Sequence, residues 1–367
     1  MGPNKDGICS RFLEEGKFLK EIPKEFRLSS YEYDLPEELI AQYPPKERTE
    51  SRLLVLDRRT GQITHHLRFS EIKRYFRPGD LLVVNDSRVF PARLLGRKET
   101  GGRVEVLLLR LPEAGKPVPA LFRGKRPKPG KKILFDQGLR GEITKVEEGG
   151  KIEILLEAKE DLLKIIEKIG RVPLPPYIKR DPELEDRFRY QTVYARTPGS
   201  VAAPTAGFHF TEELLEELKA LGVRLFTITL HVGYGTFAPV KEDDIRKHRL
   251  HEEFVEITPE TAQGINTLRE AGGRLFAVGT TTVRALEFAA IKTGRVEPIQ
   301  AWCDLYIYPG FSFKVVDHMI TNFHLPHSSL LILVSAFAGR ELILRAYQEA
   351  IRLRYRFFSY GDAMLIL

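Results

Sequence analysis

Pro198-Gly-Ser-Val-Ala-Ala-Pro-Thr-Ala-Gly-Phe-His-Phe-Thr211 runs straight into Glu212-Glu-Leu-Leu-Glu-Glu-Leu-Lys219. The front half is small and polar, and its prolines and glycines bar both helix and regular strand. The back half reads as a helix start, with Thr211 as N-cap and Glu212 and Glu213 in the first turn. Small residues let another molecule approach the backbone closely, and His209 sits where the loop meets the helix. The same stretch would also serve as a buried connector. Repetition favours a site: three more loops of this kind follow within about 120 residues.

Outward from this stretch the elements alternate. A helix over 211–221 precedes a strand over 223–232. A strand over 253–257 meets Thr258-Pro259, a cap followed by a first-turn proline, and that helix runs to Gly272-Gly273. A strand over 274–278 enters Gly279-Thr-Thr-Thr282 and another helix. Strands over 304–308 and 315–320 follow, then two helices broken at Gly339. This order predicts an α/β (α+β) core with at least one right-handed βαβ crossover.

Upstream, residues 78–158 change character. Short β-prone runs at 81–85, 103–109, 131–135, 142–146 and 151–156 are punctuated by Gly101-Gly102 and Gly149-Gly150, and none carries a helical period. They predict a small all-β module inserted into the core. The expected division is an N-terminal extension over 1–27, a discontinuous core over 28–77 and 159–367, and the inserted all-β module over 78–158.

At 367 residues and 43% hydrophobic content, the chain is long enough for two such domains. A net charge of +7 suits an anionic partner. Only Cys9 and Cys303 are present, so neither a disulfide framework nor a cysteine zinc site is expected, which fits a reducing cytoplasm. The longest apolar run, 330–338, is too short to span a bilayer, and no membrane partner is expected.

Several constellations carry possible chemistry. His231-Val-Gly-Tyr-Gly-Thr-Phe-Ala238 matches the G-x-G-x-x-G/A dinucleotide pattern, yet Pro239 opposes the helix that this motif needs. Gly233, Tyr234 and Gly235 therefore read as a tight strand exit beside a ligand. Gly279, Thr280, Thr281 and Thr282 bring a strand to a helix start whose amides suit a carboxylate or phosphate; an over-capped helix is the alternative. Arg284 and Glu287, three apart, read either as a surface pair or as a clamp and an acceptor.

Seven of the nine histidines lie at or after His209. His209, His231 and His324 are the candidate general bases, each with a structural alternative. His248 and His251 lack a third placed ligand, and no metal site is expected. Arg123, Lys125, Arg126, Lys128, Lys131 and Lys132 crowd a barrel loop suited to phosphates or to plain solvation. The rings of Tyr355, Phe357, Phe358 and Tyr360 alternate with arginines and read either as base-stacking groups or as core anchors.

Together these segments resemble the S-adenosylmethionine:tRNA ribosyltransferase-isomerase family of queuosine biosynthesis. The resemblance rests on nine stretches in order from about residue 28 to the end. Among them are PPKERTESRLLVLDR, PGDLLVVNDSRVFPARLLGR, GSVAAPTAGFHFT, HVGYGTFAPV, VGTTTVRALE and DLYIYPGFSFKVVDHMITNFHLP. Departures are mild: Ser87 where the family has Thr, Leu250 where Met is usual, and His327-Ser-Ser where a basic-Ser-Thr run is common.

The resemblance implies transfer of the ribosyl part of S-adenosylmethionine onto preQ1 at the tRNA wobble position. Isomerisation to epoxyqueuosine follows, with release of adenine and methionine. It implies a discontinuous α/β core with an inserted small all-β barrel domain and no metal or redox cofactor, S-adenosylmethionine being a co-substrate; a cytoplasmic monomer is expected. Thr205, Gly207 and the rings of Phe208, Tyr234 and Phe237 would then meet substrate. The rival readings are a dinucleotide-dependent oxidoreductase, resting on Gly233-Tyr-Gly235, and a noncatalytic tRNA-binding module, resting on the basic loop.

Overall fold

The computed structural model describes residues 21–367; Cys9 and most of the expected N-terminal extension lie outside the described residues. The described end of that extension is seated on the core, where Phe26 packs and the Leu28 amide donates to the Asp243 carbonyl (2.8 Å).

The core is built on strands that are apolar on both faces. β1 (Leu53–Leu56) pairs antiparallel with β2 (Ile63–His66). β3 (Leu81–Asn85) is buried throughout and sends Leu81 and Val83 to one apolar cluster, Leu82 and Val84 to another. Two-sided burial is what a central parallel strand requires. This corrects the expected division, which put 81–85 in the barrel: β3 lies at the middle of the core sheet. Four consecutive apolar residues, Leu81 to Val84, without polar alternation, were the available signal.

After β4 (Ser87–Val89) come the six barrel strands. These are β5 (Arg93–Lys98), β6 (Arg103–Leu108), β7 (Val118–Arg123), β8 (Lys132–Phe135), β9 (Arg140–Val146) and β10 (Lys151–Glu157). They close in the order β10-β7-β6-β5-β8-β9, with inner positions such as Val104, Val106 and Leu108 alternating with outward polar ones. β5 and β7 had no counterpart among the expected strands, because charges and Pro119 mask their alternation. Helix α1 (Leu162–Ile169), capped by Asp161, packs Ile165 and Ile166 on the barrel core.

The chain returns through α2 (Asp186–Arg189) and β11 (Thr197–Ser200), which pairs parallel with β4. Then follow α3 (Glu212–Ala220), β12 (Arg224–Leu230), β13 (Glu253–Ile257), α4 (Pro259–Glu270), β14 (Leu275–Val278) and α5 (Thr280–Ala290). The expected caps are in place: Thr211 accepts from the Leu214 amide and Thr258 from that of Thr261. β15 (Ile299–Cys303), β16 (His318–Asn322), α6 (Ser329–Ala338), α7 (Arg340–Arg352) and β17 (Ala363–Ile366) complete the core. The strand expected over 304–308 is irregular, and its place is taken by β15 just before it.

The nine-stranded sheet runs β15-β13-β12-β3-β14-β16-β17-β1-β2. Its middle four strands, β12, β3, β14 and β16, are mutually parallel, and the flanks are mixed. α4 to α7 cover one face; α3 and the 3₁₀ turn Phe69–Tyr75 cover the other. In such a sheet the carboxyl ends of the central strands open onto the crevice where ligands bind.

At the opposite end, Asp80 fixes the strand register. Its fully buried carboxylate accepts from the Arg77 amide (2.9 Å) and from Arg274 Nε (3.0 Å), and its carbonyl accepts from the Arg224 amide (2.8 Å). Asp80→Ala leaves Arg274 without its partner and is expected to cost about 3 kcal/mol. Urea unfolding of the variant measures this, and an unchanged midpoint would contradict the assignment.

Candidate active site

Beyond the carboxyl ends of the four parallel strands, four segments meet around one cavity: residues 203–206, 232 with 236, 279–281, and 321–325. Phe358, Ser359 and Tyr177 close its side. Thr205, Gly279, Thr280, Thr281 and His324, expected from sequence, are all on its wall.

Asn85, at the end of β3, holds this edge together. Its amide group donates to the Leu230 carbonyl (2.9 Å) while its oxygen accepts from the Leu230 amide (3.0 Å), so one side chain completes the pairing of β3 with β12. The same Nδ2 reaches Thr281 Oγ1 (3.4 Å) at the start of α5. That start follows Gly279, whose φ of +89° turns the strand directly into the helix, a conformation that side chains disfavour. No side chain caps α5, so its first amides face the cavity end unclaimed by a cap. Thr282 differs from its neighbours: its hydroxyl donates back to the Val278 carbonyl (2.6 Å).

The three candidate histidines separate. His324 lines the cavity, and its Nε2 lies 2.8 Å from Thr321 Oγ1. His209 is buried behind the wall, bonded through Nδ1 to Ser51 Oγ (2.7 Å) and through Nε2 to Asn322 Nδ2 (3.1 Å). Burial holds both imidazoles neutral, pushing each pKa down to about 3; Arg48 and Arg356 add to the effect at His209. With both ring nitrogens bonded, His209 does not reach the cavity as a free base. His231 stacks on Phe254 (5.5 Å between centroids), and its ring crowds Gly199. It is off the cavity wall, and its Nδ1 is buried without a hydrogen-bond partner.

Several expected substrate contacts prove to be framework. Phe208 is buried among Tyr190, Tyr360 and the guanidinium of Arg48, leaving no face for a nucleobase. Gly207 is glycine because the Tyr194 hydroxyl would lie 2.0 Å from a Cβ. Tyr234 packs on the barrel core, and the Phe237 side chain lies outside the described residues. Arg284 forms a buried ion pair with Glu253, whose Oε1 accepts from the Gly233 amide (2.8 Å) and the Thr236 hydroxyl (2.7 Å). The pair shapes the glycine turn and, with Gly235, lines a smaller adjoining cavity.

Glu287 is not Arg284's partner. Its carboxylate accepts from the amides of Lys314 (2.7 Å), Val315 (3.1 Å) and Val316 (3.0 Å), and burial pushes its pKa up. The glycine pattern at 233–238 continues not into a helix but into a 3₁₀ turn, Tyr234–Phe237, and Pro239 then bridges Ser328. The geometry of a dinucleotide fold is therefore missing there.

The six basic residues of the barrel loop are all exposed. The terminal rings of Tyr355, Phe357 and Tyr360 are core anchors; Phe358 is buried too, but reaches the cavity. Among the described residues no group of three His, Cys, Asp or Glu could hold a metal ion, and no helix is long and apolar enough to cross a membrane. Sequence reasoning missed Asn85, Ser51, Glu253 and Asn322. For Asn85 and Asn322 the signal was a polar residue ending an apolar strand run; for Ser51 and Glu253 no local signal existed.

Comparison with known proteins shows what the chain is similar to. The family described as queuosine biosynthesis protein matches residues 28–366. The chain is 53% identical over 343 residues to the S-adenosylmethionine:tRNA ribosyltransferase-isomerase of Aquifex aeolicus, covering 93% of this chain and 100% of that protein. It is 50% identical over 343 residues to the enzyme of the same name from Syntrophotalea carbinolica, with the same two coverages. A crystal structure of S-adenosylmethionine tRNA ribosyltransferase from Thermotoga maritima matches with a TM-score of 0.52 and 39% identity. That match covers 94% of this chain and all of that one.

Two imidazoles held neutral in the fold but titrating near 6.5 when unfolded make stability depend on pH. The contribution is complete above pH 6.5 and is lost as pH falls from there towards 3. Denaturant midpoints should therefore decline below about pH 6.5, with proton uptake on unfolding approaching about one per buried histidine. A flat profile down to about pH 4.5 would refute the neutral assignment.

Proposed function

Since the chain belongs to the S-adenosylmethionine:tRNA ribosyltransferase-isomerase family of queuosine biosynthesis, we propose that its central cavity holds S-adenosylmethionine and admits a preQ1 base splayed from the anticodon loop. The observation that carries this reading is the meeting, in one cavity, of an uncapped helix start with the Thr205, Asn322 and His324 side chains. The methionine carboxylate belongs at the α5 start, where backbone amides and the helix dipole favour an anion. Phe358 offers an apolar wall for a flat base.

The reaction needs a proton taken from the ribose carbon beside the sulfonium, whose positive charge acidifies it. His324 is our choice of acceptor, because among the three histidines it alone lines the cavity. With its own proton on Nε2 and donated to Thr321, the Nδ1 lone pair is left to accept. The ribosyl carbon chain then passes to the aminomethyl group of preQ1, adenine and methionine depart, and rearrangement gives epoxyqueuosine. Dry walls protect the intermediates from water. The exposed cations of the β7–β8 loop supply phosphate contacts to the tRNA. We place the enzyme in the cytoplasm as a monomer.

Incubation with S-adenosylmethionine and preQ1-containing tRNA should release adenine and methionine and leave a heavier nucleoside. No adenine release would end the reading. His324→Ala should lower kcat by roughly a hundredfold or more while tRNA affinity is kept; an unchanged kcat would exclude His324 as the proton acceptor. Charge reversal at Lys125, Lys128 and Lys131 should weaken tRNA binding and flatten its dependence on salt. An unaltered salt slope would show that the loop is merely solvated.

A further inference from the structure

One end of a buried hydrogen-bond chain is fixed by a group that can only accept, and this sets the direction of every bond along it. Ser51 Oγ donates to the Arg48 carbonyl (3.1 Å), so its lone pair receives the proton of His209 Nδ1 (2.7 Å). A neutral imidazole protonated on Nδ1 has a lone pair on Nε2, and Asn322 Nδ2 donates into it (3.1 Å). That orients the carboxamide, whose oxygen accepts the hydroxyl proton of Thr205 (2.8 Å). Thr205 and Asn322 both stand on the cavity wall. Two capacities remain there: lone pairs on Thr205 Oγ1, whose only hydrogen is committed, and the second N–H of Asn322. The wall thus offers an acceptor beside a donor, in an order that reverses only if Ser51 gives up the Arg48 carbonyl and the Asn322 amide turns over.

The complement of that pair is a heteroaromatic edge with an N–H donor next to an acceptor. We propose that Thr205 and Asn322 read the adenine of the co-substrate, Thr205 accepting from its 6-amino group and Asn322 donating to the adjacent ring nitrogen, with His209 as the positioning residue that sets their polarity. This rests on the function proposed above. A deazaguanine also has such edges, its N1–H beside the 6-oxo group and its 2-amino group beside N3. Adenine is favoured because the anion-binding start of α5 lines the same cavity. One molecule bearing both a carboxylate and an adenine then accounts for both features of the cavity wall.

The test replaces the base while keeping the rest of the co-substrate. Wild-type enzyme should use the 6-oxo (hypoxanthine) analogue of S-adenosylmethionine at least about a hundredfold less efficiently in kcat/KM, since the analogue sets an oxygen against Thr205 and an N–H against Asn322. Equal use of both would overturn the proposal without any variant. In Thr205→Val, and in His209→Phe, which frees the Asn322 amide to turn, the preference should shrink to within about tenfold while KM for tRNA is kept. A preference ratio unaltered in both variants, each still turning over S-adenosylmethionine, would overturn it. So would variants that keep the preference between the two co-substrates while KM for preQ1-containing tRNA rises, because the pair would then read the other base. Failure of the wild type to release adenine from S-adenosylmethionine itself would instead remove the underlying function.

Discussion

The site depends on how a parallel sheet ends. Where β3 and β12 stop pairing, the backbone groups of Leu230 would be left open beside a cavity, and Asn85 satisfies both with a single carboxamide. A carboxamide is the side chain that presents a donor and an acceptor at the spacing of a peptide group, so the ladder is extended by one rung made of side chain. The same residue accepts from the Ser87 amide (3.1 Å) and touches Thr281. Three of the segments that leave the sheet are thereby tied to one buried group before any ligand arrives. Preorganisation of this kind lets binding energy go into the reacting groups instead of into ordering loops.

The polar side chains inside α5 follow the same logic. The helix is buried on nearly every side, so Arg284 and Glu287 survive there only because each is satisfied. Arg284 is met by Glu253 and by the carbonyl of Leu305 (3.0 Å), and Glu287 by three successive amides of the loop that leads into β16. One charge thus shapes the glycine turn that walls the cavity, and the other fixes the approach to the strand that delivers Asn322 and His324. Both are committed first to the framework, and through it they set where the cavity walls lie.

Much of this order was legible from residues alone. Helix starts written by Thr211 and by Thr258-Pro259 rest on local hydrogen bonds, and local rules found them. The meeting of three of the four loops followed from α/β alternation, since strands that run parallel put their exits on one edge; the fourth, 203–206, follows β11 in its own two-stranded sheet. What stayed hidden depends on partners far away in sequence. Ser51 and His209 are 158 residues apart, and Arg284 and Glu253 are 31 apart on different elements. β3 was assigned to the barrel because a run of four apolar residues suits either domain until its neighbours are known. The three-residue spacing of Arg284 and Glu287 suggested a pair, yet on a buried helix each found a stronger partner elsewhere.

The stretch around Thr205 shows why its two readings, connector and site, are one. Val201 belongs to the apolar cluster of the barrel, Ala202 to that of the helical face of the sheet, Ala203 to the cluster around Tyr190 and Tyr360, and Ala206 to that under α3. Four cores converge within six residues, and only small side chains fit where they meet. A backbone packed from four directions has little freedom, so the hydroxyl of Thr205, carried between Ala203 and Ala206, is held as firmly as the cores themselves. A larger or looser residue there would have to displace one domain from the other. The connector must be small because it joins two domains, and because it is small and fixed it can serve as a wall against which a substrate is aligned.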